Sequence, residues 1–247
     1  MSKIEKKINQ AYDRIAKPFF NSRVTKKAVY NEYLEMPAML SILGDLKGKK
    51  VLDLGCGPGL HSARLLKQGA ILYGIDQSEK MISIAKSYVK GADFQVGTVY
   101  SMPYKSGFFD VVFASYVVHY FTDLDKALKE VRRVLKKGGI FAFSTTNPFK
   151  EMTHRLPGRP YYVRKFENYF DEGPYNLTWF KNTKNQVTIP FVHWTFESYI
   201  KSALRTGFEI IDYADAKPLP KMKEVNKRVY EVCAHIPQLS IFKLKAV

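Results

Sequence analysis

The chain has 247 residues, 46% of them hydrophobic and 25% charged, and a formal net charge of +16. That is enough apolar material to bury a core, and no apolar run approaches the roughly 18 residues that a membrane-spanning helix needs. The charge raises nucleic acid as a partner, but it gathers at the ends: basic residues outnumber acidic ones 11 to 5 over 1–50 and 7 to 2 over 217–247, against 9 to 8 over 147–216.

Two helical stretches open the chain. Ile4, Ile8, Ala11, Tyr12 and Ile15 recur at helical spacing up to Pro18, where the first is expected to stop. The second covers about 25–43, and Pro37 is expected to kink or split it. An alternation follows. Strands are predicted at 50–54, 71–75, 93–96, 110–114 and 139–144, with helices at 61–68, 78–89 and 123–136. Strands alternating with helices imply βαβ units and a doubly wound, mostly parallel sheet. From 146 to about 190 the pattern breaks into an aromatic-, Asn-, Gly- and Pro-rich insert. A helix at 195–206, a strand at 208–213, a helix at 225–234 and a strand at 239–245 complete the chain.

The most informative segment is Val51-Leu52-Asp53-Leu54-Gly55-Cys56-Gly57-Pro58-Gly59, a buried strand running into a glycine turn that opens a helix. Glycines let backbone approach a ligand, and the helix start offers unpaired N–H groups and a positive dipole end. A dinucleotide fingerprint spaces its glycines as GxGxxG/A. Here the third glycine is Gly59 and Leu60 occupies the fingerprint position, so a nicotinamide-dependent oxidoreductase is disfavoured. The next strand ends in Asp76, placed to accept bonds from ribose hydroxyls; capping of the following helix by Asp76 or Ser78 is the plainer alternative.

With these residues the chain resembles class I S-adenosylmethionine-dependent methyltransferases, in particular the type 11-like group acting on small molecules. The resemblance covers roughly 48–146. It is reinforced by Met102-Pro103-Tyr104 leading to Phe109-Asp110-Val111-Val112, and by Leu135-Lys136-Lys137-Gly138-Gly139. It implies a Rossmann-like, seven-stranded α/β fold and S-adenosylmethionine as cofactor, with S-adenosylhomocysteine as product. It further implies that Asp53 and the loop Gly55, Cys56, Gly57 and Gly59 hold the methionine part, and that Asp76 binds the ribose. Gln77 would lie beside the adenine, with Met81 beneath it. The acidic residue that in the family bonds the adenine amine falls at Thr98, next to Val99, a departure that shifts adenine recognition toward backbone near Val99. Ser115 and Tyr116 would line cofactor and acceptor, and Tyr12 resembles an N-terminal tyrosine that closes over the cofactor; helix packing is its alternative.

Methyl transfer from a sulfonium is an in-line displacement, so much of the catalysis is positioning. His119, just after the fourth strand, is the first candidate base or acceptor-orienting group, against a buried histidine that merely holds its loop. His154 and His193 are weaker candidates. The stretch 147–216 holds 15 of the 35 aromatic residues, among them Tyr161, Tyr162, Phe166, Tyr169, Phe170, Tyr175, Trp179, Phe180, Phe191 and Trp194, and is expected to form a lid over the crevice. Arg155, Arg159, Arg164 and Lys165 could grip an anionic acceptor or form a solvated face.

The expected organisation is a single methyltransferase domain: helices at 1–47, a cofactor-binding core at 48–146, a lid insert at 147–194 and a completing segment at 195–247. The expected acceptor is a small molecule. An RNA or protein methyltransferase, prompted by the basic ends, and a non-catalytic cofactor-binding protein are the alternatives. Cys56 and Cys233 form no CxxC pair, so no metal site is expected. The expected compartment is the reducing cytoplasm, with no membrane segment or secretory signal and a monomer or homodimer as the assembly.

Overall fold

A computed structural model describes residues 2–25, 28–160 and 162–247. Its central strands are buried almost continuously, so that each feeds both faces of one sheet. The strands β1 (Lys50–Leu54), β2 (Ile71–Asp76), β3 (Asp93–Val96), β4 (Phe109–Ala114), β5 (Leu135–Thr146), β10 (Phe208–Asp215) and β11 (Leu239–Ala246) lie in the order β3-β2-β1-β4-β5-β11-β10. All neighbours pair in parallel except β11, which runs antiparallel to both β5 and β10. This is the predicted doubly wound sheet. The parallel strands are nearly continuous apolar runs, as two-sided burial demands.

One face packs Leu52, Val112, Phe141 and Leu244 against α5 (Leu124–Val134) and α7 (Phe196–Arg205). The other packs Val51, Leu72, Phe113 and Ile241 against α2 (Met36–Leu43), α3 (Leu60–Lys67) and, through Met222 and Cys233, α8 (Lys221–Val225) and α9 (Lys227–His235). The helix α4 (Glu79–Tyr88) is capped by Ser78, whose hydroxyl accepts the Met81 N–H at 3.1 Å. Here the glycines set packing distance. A Cβ on Gly74 would overlap the ring of Phe94, which fills the groove beneath α4.

Three expectations about the elements are corrected. First, the helix α1 (Lys3–Thr25) runs straight through Pro18. It starts on a capping box in which Ser2 and Glu5 exchange hydrogen bonds at 2.8 and 3.2 Å. Its stripe of Ile8, Ala11 and Ile15 is buried against Ile189 and Phe191, and that burial outweighs the bond that proline removes, a cost of about 3 kcal/mol. Second, the stretch is divided just ahead of Pro37 and not at it, with the proline in the first turn of α2. The chain widens into a π-helical turn at Asn31–Glu35 just ahead of it. The Tyr33 carbonyl, which Pro37 has no N–H to serve, accepts the Leu219 N–H at 2.8 Å. Third, the insert is ordered. After α6 (Pro148–Glu151) it holds two hairpins, β6 (Thr153–Arg155) with β7 (Arg164–Phe166) and β8 (Gly173–Trp179) with β9 (Val187–His193). Pro174 and Pro190 hid the second hairpin, yet both are accommodated in a two-stranded ribbon where one side of each strand is unpaired. The strand β5 also begins earlier than predicted, at Leu135, and the last helical stretch is divided at Asn226.

The consequence for the site is geometric. The helix α1 packs on α4 and on β9, so it and the β8–β9 hairpin cover the carboxyl ends of β1, β2 and β4. No helix among the described residues is long and apolar enough to cross a membrane.

Replacing Gly74 with Ala should destabilise the fold by about 1–3 kcal/mol through overpacking, and adding Phe94→Leu should recover part of that loss. Urea denaturation of the two variants checks this; an undisturbed midpoint for Gly74→Ala alone would contradict the packing described.

Candidate functional site

The turn after β1 is shaped by hydrogen bonds to the end of β2. The N–H groups of Gly55 and Cys56 both donate to the Ile75 carbonyl, at 2.8 and 3.1 Å. The Gly57 N–H donates to Asp76 Oδ2 at 2.9 Å, and the Ser78 N–H to Asp76 Oδ1 at 2.9 Å. The three glycines do different work. A Cβ on Gly55 would collide with Val117. Gly59 sits at φ +83° as the N-cap of α3, its α-carbon facing Ala85 and Val89 of α4. Gly57, at φ +51°, has nothing within 4 Å of the place its Cβ would occupy.

A cavity of about 860 Å³ lies above this turn. Of the predicted cofactor residues, Tyr12, Gly55, Cys56, Gly57, Asp76, Gln77, Met81, Val99, Ser115 and Tyr116 line it. Asp53, Gly59 and Thr98 do not, contrary to expectation. Asp53 is buried behind the turn, where its carboxylate accepts the Ser62 hydroxyl at 2.5 Å, and burial raises its pKa to about 6. Gly59 serves the contact with α4. Thr98 bridges to Ser101 and leaves Gly97, Val99 and Tyr100 on the wall.

The wall suits an adenosyl group. Gln77 Oε1 is buried without a partner. Met81 offers an apolar flank, and the Asp76 carboxylate, held by the Gly57 and Ser78 N–H groups, stands on the cavity wall. Tyr12 and Tyr120 share a hydroxyl–hydroxyl bond of 2.5 Å across the roof, while neighbouring Asp13 accepts the Ser78 hydroxyl at 2.5 Å. The motif Ala11-Tyr12-Asp13 therefore ties α1 to both sides of the crevice.

A polar cluster lies beneath that no pattern in the sequence announces. Glu35, fully buried, accepts the hydroxyls of Ser115 and Ser144 at 2.7 and 2.8 Å and pairs with His61 Nε2 at 3.2 Å. Burial alone would raise the Glu35 pKa, but His61 and the serines overrule it and hold the carboxyl low. Burial would likewise lower that of His61, and Glu35 raises it instead. The pair is an ion pair, with His61 on the cavity wall. His61 stands in the first turn after the glycines and could have been noticed. Glu35 could not, because the π turn that aims it inward was invisible. Tyr116 sits at φ +54°, a strained value for an aromatic residue, its N–H donating to Ser144 Oγ at 3.0 Å.

Of the histidines, His119 lines the cavity. Its ring stacks on Phe191 at 4.7 Å between centroids, and Nδ1 is buried without a partner. Burial, with Lys150 adding to it, pulls its pKa to about 3, so the imidazole is neutral across the physiological range. His154 is exposed at the rim beside Glu167. His193 is corrected: it lies off the cavity, its Nε2–H donating to the Tyr169 carbonyl at 2.9 Å and its Nδ1 bonded to Glu151 at 2.7 Å. Both nitrogens are committed, Nδ1 to α6 and Nε2 to the segment between β7 and β8. Of the predicted lid aromatics, Tyr175, Trp179 and Phe191 line the cavity. Tyr162 and Phe170 face solvent, and Trp194 bonds the Phe121 carbonyl at 3.0 Å. Tyr161 and the side chain of Phe166 lie outside the described residues.

Residues 52–143 match the family model described as "Methyltransferase domain". An uncharacterized protein of Haemophilus influenzae is 29% identical over 234 residues, 88% of this chain and 89% of that one. A ubiquinone biosynthesis O-methyltransferase of Coxiella burnetii is 34% identical over 121 residues, 47% of this chain and 52% of its own length, so the chain spans about half of that relative. Among solved structures, an S-adenosylmethionine-dependent methyltransferase from Mesorhizobium loti shares the fold with a TM-score of 0.73 at 22% identity, over 89% of this chain and 99% of that one.

The neutral His119 has a consequence for stability. Its folded pKa lies below the unfolded value of about 6.5, so the unfolded chain binds the extra proton as pH falls and folding weakens. Between pH 6 and 4 the native chain should lose stability more steeply than His119→Asn, by up to about 1.4 kcal/mol per pH unit. Denaturant midpoints of both proteins across that range provide the measurement, and parallel curves would contradict it.

Proposed function

We propose that this chain, whose residues 52–143 match a methyltransferase domain, is a class I S-adenosylmethionine-dependent methyltransferase that methylates a small molecule held under the aromatic hairpin. The observation that carries this reading is the continuity of one cavity. It runs from the glycine turn and Asp76 at one end to Tyr175 and Phe191 of the insert at the other. Its volume, about 860 Å³, falls in the range of small-molecule sites, and its roof of α1 and hairpin favours a compact acceptor over an RNA strand.

In this reading Asp76 accepts the ribose hydroxyls, Gln77 meets the polar edge of the adenine and Met81 its face. Gly57 leaves the room a side chain would take, and its neighbours offer backbone to the methionine part. His61, charged through Glu35, supplies a positive group near the start of α3 for a carboxylate. Bound S-adenosylmethionine supplies an electrophilic methyl group; the residues of this chain do the rest. They exclude water, hold the acceptor in line and receive a hydrogen bond from it. His119 is suited to the last task. A neutral imidazole can accept a proton in flight, yet its burial disfavours holding a full charge, so orientation of the acceptor is its larger share. Tyr12 and Tyr120 close the roof over the reacting groups.

Calorimetric titration with S-adenosylhomocysteine should give saturable binding near micromolar affinity, about −8 kcal/mol, with NADH inert. A folded sample that binds nothing would reject the reading. Asp76→Ala should weaken binding by about 1–3 kcal/mol, and Gly57→Leu should abolish it with the far-ultraviolet spectrum retained. Undiminished affinity in either variant would remove that residue from the cofactor site. His119→Ala should slow turnover well beyond its effect on cofactor affinity; equal losses in both would leave it a structural role only.

A further inference from the structure

The wall of the cavity away from the glycine turn carries three cations from three elements: Arg23 at the end of α1, Lys150 in α6 and Arg164 in β7. Among the described residues none of the three has a carboxylate within ion-pair distance. Neutral groups anchor two of them. Arg23 donates to Asn31 Oδ1 at 2.6 Å. Arg164 donates to the carbonyl and hydroxyl of Thr153 at 3.3 and 3.2 Å, and its Nε is buried without a partner. The Thr153 hydroxyl in turn donates to the Lys150 carbonyl at 2.8 Å, so Arg164 and Lys150 are built into one short unit. Burial lowers the Lys150 pKa, and Arg164 presses it the same way against the opposing pull of Glu151.

The carboxylates on this side of the cavity are already engaged. Glu151 is bonded to His193 and to the Tyr175 hydroxyl, at 2.7 and 3.1 Å, and Glu167 pairs with His154 at 3.1 Å. The near-neutral charge of the insert therefore conceals a separation: two of its acids, Glu151 and Glu167, pair with histidines, and Lys150 and Arg164 are left facing the cavity. Of the four basic residues singled out in the sequence, only Arg164 is on that wall. Cations taken out of water without a counter-charge are costly, and an arginine fork with a lysine beside it matches a carboxylate or a phosphate. The surrounding wall supplies rings, from Tyr30, Tyr116, Tyr175 and Phe191.

We propose that the acceptor is an anion: a ring-bearing small molecule whose carboxylate or phosphate is clamped by Lys150 and Arg164, with Arg23 adding to the field. The inference rests on the cavity being the acceptor site of a methyltransferase.

Full-length protein saturated with S-adenosylhomocysteine is titrated calorimetrically with benzoate, phenyl phosphate and, as a neutral probe of the same ring, benzyl alcohol. At least one anion should bind about tenfold or more tightly than the alcohol, and which one does so assigns carboxylate or phosphate. Lys150→Met and Arg164→Leu, each checked for fold by circular dichroism, should each weaken that anion about tenfold and leave S-adenosylhomocysteine affinity unchanged. Equal binding of anion and alcohol, no anion binding, or full anion affinity in both variants would overturn the clamp. A native protein that fails to bind S-adenosylhomocysteine would instead strike the methyltransferase reading, and the same titration without it would still decide the clamp.

Discussion

Everything in the crevice hangs on how the end of β2 receives the turn after β1. The Ile75 carbonyl takes two N–H groups from the turn and the Asp76 carboxylate takes a third. A glycine turn without such partners would be an entropic liability, because its residues lose the most conformational freedom on folding. Here three otherwise orphaned donors are satisfied at once, and the turn becomes a rigid floor. Asp76 thereby serves twice, fixing the backbone of the turn while its carboxylate lines the cavity. Burial raises its pKa, and the Ser78 and Gly57 N–H groups work against that rise.

A second principle organises the space around this floor. Carboxylates around the cavity are paired, and the cations of its far wall, Arg23, Lys150 and Arg164, have no carboxylate partner among the described residues. Glu35 collects His61 and two serines, Asp53 takes Ser62, and Glu151 takes His193 and Tyr175. Low dielectric makes each satisfied group rigid and each unsatisfied one expensive. Of the buried orphan atoms among the described residues, Asn9 Oδ1, Gln77 Oε1, His119 Nδ1 and Arg164 Nε belong to residues on the cavity wall, whereas Tyr104 Oη and Glu35 Oε2, reached only by the His61 ion pair, lie away from it. A folded chain keeps such groups where a ligand completes them.

The sheet was legible in the sequence because its signals are local. Apolar runs, glycine stops and a helix period between them located every strand of the sheet, most within two residues and β5 four residues late at its start, and the spacing of Gly55, Gly57 and Gly59 separated the turn from a dinucleotide loop. The site was legible only where it coincides with those strand ends. Asp53, Gly59 and Thr98 follow from analogy of position, but they are occupied elsewhere: the Asp53 carboxylate with Ser62 of α3, the α-carbon of Gly59 against α4, and the Thr98 backbone in its bridge to Ser101. Lys150 and Arg23 were missed because charge counts along a chain say nothing about which charges find partners. The hairpins of the insert were missed because prolines usually deny a strand, whereas a two-stranded ribbon has an unpaired side on which they are harmless.

The π turn ahead of Pro37 carries one implication for relatives. Such a turn holds one residue more than an α-helical turn of the same span. A homologue lacking one residue between 31 and 35 would wind this stretch as ordinary helix and swing the side chain at the Glu35 position by about 100°. Its Ser115 and Ser144 equivalents would face a different group, and its His61 equivalent would lose the counter-charge that keeps it protonated. An alignment gap one residue long, far from the glycine motif in sequence, would thus mark a change in the electrostatics of the cofactor floor.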